Sequence, residues 1–174
     1  MAGGEAQSML VRPRRMDARR NLEAIVEAAR LALASDPDAS MHHVAEVAGV
    51  HRATVYRHFA TREELLDAVR ARAATEATAA LSAARPADGP ARDALERVTE
   101  AAVEVLERYR LPGFVPADDG TVAAILARGA REEGLRRDVP AEILAAAWGG
   151  LVAAMAGRPR ASALVVQILL GPPR

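Results

Sequence analysis

Residues 48 to 59 read AGVHRATVYRHF, which sets two histidines, two arginines and two aromatics beside one glycine, with no acidic residue among them. From His51 to Arg62 there are three arginines and two histidines and still no carboxylate, so the donors of this stretch lack a neutralising partner within it. That is the chemistry of an anion-facing surface, and nucleic acid offers both phosphates and base edges to meet it. Arg52 can reach a guanine edge bidentately, Thr54 can bond a phosphate or touch a thymine methyl, and the Tyr56 hydroxyl can donate to a phosphate oxygen. Val55 and Phe59 are the apolar anchors behind them. His42 and His43 stand at the amino end of the preceding helical stretch, where phosphate or base edges come within reach and the helix N-terminus itself favours phosphate.

Other chemistries match the residues less well. All four histidines, 42, 43, 51 and 58, fall in this one segment. A helical zinc site wants a pair at i and i+4 with a third ligand, whereas the adjacent 42 and 43 point to different faces and the chain has no cysteine. No metal and no cofactor is expected. Carboxylate-bridged iron chemistry uses Glu-x-x-His pairs on facing helices, and no histidine lies beyond residue 58. The same gap leaves any serine nucleophile without a downstream base, and no glycine-rich phosphate loop occurs. The neighbours Asp118-Asp119 and Glu132-Glu133 diverge on a helix and read as solvated ends. A small helical-bundle enzyme is therefore the weaker alternative, and no catalytic residue is predicted.

The elements that must hold the donor-rich segment are helices. Half the residues, 51%, are hydrophobic but only five are aromatic, and alanine dominates, which favours closely packed helices over sheets. The expected class is all-α, in one unit of 174 residues with a functional subdivision. Leu22, Ile25, Val26, Ala29 and Leu33 recur at helical spacing from Asn21 to the DPD turn at 36 to 38. Ser40 then offers an N-cap oxygen to MHHVAEVA, whose Met41, Val44, Ala45 and Ala48 face one way. Gly49 suits the left-handed conformation that ends this helix, and Val50 can pack back onto it. HRATVYRHF makes a short third helix with Ala53 and Val55, or Val55 and Phe59, turned inward. Thr61 and Glu64 form a capping box for a fourth helix that starts at about Arg62 and runs to RPADGP at 85 to 90. Two short helices joined by a glycine turn behind a longer one are the helix-turn-helix arrangement, whose second helix enters the major groove. A fifth helix covers Ala91 to about Arg110, a sixth 121 to 134, a seventh Val139-Pro140 to Met155, and a last one 161 to 170.

At this point SMHHVAEVAGVHRATVYRHFATREELLDAV resembles the DNA-binding signature of the TetR family of bacterial transcriptional regulators. The likeness covers about residues 17 to 70, through the AGV turn, the T-V-Y-R-H-F run and the following T-R-E-E-L-L; AILARGAREEGLRRDVPAEILAAAWGGLVAAM follows the family's late-helix pattern more loosely. His51 stands where the family often has serine or threonine, and Ala53 replaces a frequent glycine. The resemblance implies that His42, His43, His51, Arg52, Ala53, Thr54, Tyr56, Arg57, His58 and Arg62 line DNA, with Tyr56 and Arg62 chiefly on phosphates. It also implies a homodimer built on the last two helices, a small-molecule effector pocket in the middle ones, and a repressor released from a palindromic operator when the effector tilts the fourth helix. The expected division is a basic arm over 1–16, a helix-turn-helix domain over 17–62, and an effector-binding and dimerisation domain over 63–174. An adaptor that keeps the fold without DNA affinity is the remaining alternative.

Net charge is zero, from 23 basic and 23 acidic residues, but it is unevenly spread. Residues 10 to 20 carry five arginines against one aspartate, a cationic arm that speaks against the adaptor. Absence of cysteine accords with a reducing cytoplasm. The longest uncharged run, residues 143 to 157, is short of the roughly 20 apolar residues that span a bilayer, so no membrane partner is expected. The start of the chain has charge but no apolar core of a secretory signal. In the C-terminal half, Leu151, Val152, Met155, Leu164, Val165 and Ile168 offer apolar faces for a two-subunit interface, with Gly149-Gly150 allowing close approach. Tyr109, Phe114 and Trp148 are the candidate lining of an apolar effector cavity.

Overall fold

Eight helices and no strand make up the described residues of the computed structural model, which describes residues 5–132 and 135–171, with side chains from Arg19 onward. The all-α class read from composition is the class observed. In order they are α1 (Glu5–Ser35), α2 (Met41–Val47), α3 (Arg52–His58), α4 (Arg62–Ala83), α5 (Ala91–Tyr109), α6 (Thr121–Glu132), α7 (Ala141–Met155) and α8 (Ala161–Leu170). Two compact units divide inside α4, one up to Val69 and the other from Arg70. Among the described residues no helix is long and apolar enough to cross a membrane.

In the first unit α1 packs on α2 and α2 on α3. Its buried residues are the predicted stripe, Ile25, Val26, Ala29 and Leu33, with Met41, Val44 and Ala45 of α2, Val55 and Phe59 about α3, and Leu65, Leu66 and Val69 of α4. Helix α1 begins far ahead of Asn21 and runs through Pro13; Asn21 marks where the apolar stripe begins, not where the helix does. The arm expected over 1–16 is thus, from Glu5 on, the first part of α1, and its arginine side chains lie outside the described residues.

In the second unit α5 is central, packed against α6, α7 and α8, with α7 also against α6 and α8. Leu95, Val98 and Ala102 of α5 meet Val122 and Ile125 of α6, Trp148 and Val152 of α7, Val165 and Leu169 of α8, and Leu81 of α4 in one apolar cluster. Two arginines tie down the α4–α5 loop. Arg97 donates to the carbonyls of Ala84, Arg85 and Asp88, the orphan acceptors past the end of α4, and Arg128 donates to Gly89 and Ala87.

Candidate nucleic-acid interface

The segment from Ser40 to Glu64 is fixed by a run of local caps. Ser40 Oγ accepts from the His43 N–H at 3.2 Å, starting α2 as predicted. At its other end Gly49 takes φ +65°, the Gly49 N–H reaches the Glu46 carbonyl, and the Val50 N–H reaches that of Ala45, the paired bonds of a Schellman turn. Next comes a residue of unexpected use: His51 is the N-cap of α3, its Nδ1 accepting from the Ala53 N–H at 3.2 Å. That bond requires an unprotonated Nδ1, so the neutral ring carries its hydrogen on Nε2. Thr61 Oγ1 caps the Glu64 N–H at 3.2 Å, while Glu64 reaches back to the Ala60 N–H at 2.7 Å, one residue earlier than the standard box.

Caps at both ends leave α3 with a single inward side, and Val55 and Phe59 occupy it; Ala53, the other candidate, is exposed. Arg52, Ala53, Tyr56 and Arg57 all face solvent, with Thr54 half-buried beside them. The Arg52 guanidinium lies over the Tyr56 ring, 5.1 Å from its centroid, and its Nη2 donates to Tyr56 Oη at 3.3 Å. His42 and His43 are exposed on α2, and both approach Glu46, at 3.4 and 3.6 Å. Sequence reasoning overlooked this acid, although i+3 and i+4 spacing puts it beside them.

Two of the expected DNA-lining residues sit differently. His58 is half-buried, with Nε2 enclosed and without a hydrogen-bond partner, facing protein rather than solvent. Arg62 turns back on the protein: its Nη2 donates to the Pro37 carbonyl at 2.6 Å and its Nε to that of Ala39 at 3.3 Å, bracing the α1–α2 turn. What remains outward is a short convex helix with two cations, two hydroxyls and small residues, which can approach a polyanion closely. Among the described residues no three His, Asp or Glu side chains converge as metal ligands.

The three residues expected to share an effector cavity are not together. Trp148 is fully buried, its Nε1–H donating to Thr99 Oγ1 at 3.0 Å, and belongs to the apolar cluster. Tyr109 is fully buried too, donating to Glu76 Oε2 at 2.7 Å, and Arg108 pairs with the same carboxylate. Burial raises the Tyr109 phenol above its usual 10.0, and the Glu76 carboxylate pushes the same way. Both aromatics are core, since each polar tip is already satisfied by its own chain. Phe114 alone lines a cavity, of about 600 Å³, with Leu106, Leu111, Val115 and Ala153, and with Glu107 and Arg110 supplying charge.

The interface expected in α7 and α8 also needs correction. Val152 and Val165 have no exposed area and face their own chain's core, so neither side chain is left for a partner. Leu151 and Met155 are half-buried against that core. The outward residues are Leu164 and Ile168, 37% and 49% exposed, and one not anticipated, Ile143 at 59%. Gly149 lacks a side chain because the Pro116 carbonyl and Val115 fill that space, an approach within the chain; only Gly150 faces open space.

These features have counterparts in known proteins. Residues 24–69 match the family model of bacterial regulatory proteins, tetR family. Over 86 residues the chain is 38% identical to the HTH-type transcriptional repressor LfrR of Mycolicibacterium smegmatis, an alignment covering 49% of this chain and spanning about half, 46%, of that relative's length. The crystal structure of LfrR from Mycobacterium smegmatis in complex with proflavine superposes with a TM-score of 0.69 at 27% identity, covering 90% of this chain and 99% of that one. PfmR of Thermus thermophilus, a TetR family transcriptional regulator, shares the fold at a TM-score of 0.63 and 22% identity, over 86% of this chain and 99% of its own. The matched segment, from α1 into α4, is thus a DNA-binding domain of the tetR type, on a fold that the chain shares with LfrR across nearly its whole length.

Proposed function

We propose that the protein is a DNA-binding transcriptional regulator, a repressor that grips a pseudo-palindromic operator as a homodimer and is released by a small, largely apolar effector. One observation carries this reading: α3 stands on a Schellman turn with Val55 and Phe59 buried and Arg52, Ala53, Tyr56 and Arg57 outward, so the cationic face of a helix narrow enough for a major groove is free. His42, His43, His51 and Thr54 flank that face, whereas His58 is half-buried and Arg62 turns back to brace the α1–α2 turn. The domain boundary expected at 62/63 becomes, on this reading, the first turn of α4, which starts the helix shared by both units.

A second copy suits the exposed Ile143, Leu164 and Ile168, because a twofold pairing of α7 and α8 buries the same apolar patch on both subunits. Two recognition helices then meet half-sites about 34–36 Å apart or a multiple of it. The cavity beside Phe114 is the effector site we favour, with apolar walls and the Glu107 and Arg110 charges at hand. An effector acts there only by binding one of two arrangements of the dimer better than the other.

The test offers the purified chain a library of randomised duplexes at low salt and sequences what is retained. An inverted repeat is expected to emerge, with affinity falling steeply as salt rises; retention of no duplex overturns the reading. Proflavine, the compound in the LfrR complex, serves as the first release probe.

A further inference from the structure

We propose that Tyr56 is a positioning residue for Arg52, so that the two form one guanine-reading unit in each half-site. The proposal rests on the DNA-binding reading above and adds to it how a base is selected. On α3 the two residues are four apart, hence on the same face and one turn removed. The guanidinium lies over the ring at 5.1 Å from its centroid and donates through Nη2 to the phenol oxygen at 3.3 Å. Both side chains are exposed, and no carboxylate occurs between residues 51 and 62 to compete for the cation.

An unbraced arginine has many rotamers and loses most of them when it docks on a base edge. Contact with the ring restricts where the guanidinium can lie, and the hydrogen bond to the ring's own oxygen narrows its orientation further. The fork then reaches the groove already oriented, with four of its five N–H donors uncommitted; guanine O6 and N7 need two. Tyr56 Oη accepts from Arg52 and keeps its own O–H, which can donate to a phosphate oxygen. Backbone grip and base reading are thereby joined in one side chain, so loss of the ring disturbs recognition at one base pair and not merely overall affinity.

The experiment uses the full chain and the duplexes it retains from the randomised library, with every base pair of the half-site substituted in turn. Arg52→Ala is expected to lose roughly tenfold or more of the discrimination at a single G·C pair. Tyr56→Leu should lose most of the discrimination at that same pair and leave the others intact, and Tyr56→Phe, which keeps the ring but not the oxygen, should fall between. The double variant Arg52→Ala/Tyr56→Leu should discriminate no worse there than Arg52→Ala alone. In the free protein, NMR should show the Arg52 side-chain protons losing their ring-current shift in Tyr56→Leu and keeping it in Tyr56→Phe, a result independent of any DNA. If Tyr56→Leu weakens all sequences equally with discrimination intact, Tyr56 is a phosphate contact only and the proposal falls while the DNA-binding reading stands. If no duplex is retained at all, both fall together.

Discussion

Thr99 lies at the middle of the second unit with no exposed surface, bonded on both sides: Trp148 Nε1–H donates to its hydroxyl, and the hydroxyl donates to the Leu95 carbonyl at 2.7 Å. Replacing Thr99 by valine keeps the shape and removes the acceptor, which strands an indole N–H in an apolar interior. We expect a loss of about 1–3 kcal/mol, read as a lower urea midpoint with an unchanged slope. This pair also shows what residue-level reading of the sequence could reach. Trp148 was visible as a large apolar group, but its partner stands 49 positions away, at no helical spacing from it. A separation of 33 positions hid Glu76 from Tyr109 in the same way. Side chains that meet across helices are paired by tertiary packing, so a reading that knew only the residue types placed them on a cavity wall.

At the scale of elements the start of each helix is a local matter, and local signals carried well. Ser40, Gly49 and Thr61 each perform the bond that their types suggested, because a cap joins residues two to five apart. Histidine as the cap of α3 was not anticipated, since its ring nitrogen does what a short hydroxyl does more commonly. The beginning of α1 was missed because the apolar stripe starts at Leu22, whereas the helix extends back to Glu5, through Pro13, over residues that carry no such stripe. Gly49 offers a direct check. An added methyl meets no atom within 4 Å, so Gly49→Ala costs only the left-handed backbone, about 1–2 kcal/mol, and should lower thermal stability without shifting the crossing of α2 and α3. A loss well below that range would mean that the turn relaxes to another conformation.

For the whole molecule, apolar runs in α7 and α8 announced a surplus of hydrophobic surface, and the fold shows how much of it one chain absorbs. Val152, Val165 and Trp148 go inward, while Ile143, Leu164 and Ile168 do not. Periodicity gave the helices but could not choose between two apolar sides of a helix nearly all of whose residues are apolar. Ile168→Asp places a charge on the outward side alone, so we expect a folded monomer by sedimentation together with much weaker operator binding; a dimer that persists at low protein concentration moves the interface elsewhere.

Arg62 gives the molecule a property of a different kind. Its backbone is the first turn of α4 and its guanidinium clasps the carbonyls of Pro37 and Ala39, just ahead of α2. Rotation at the root of α4 would drag the entry to α2 with it, as a key turns its bolt.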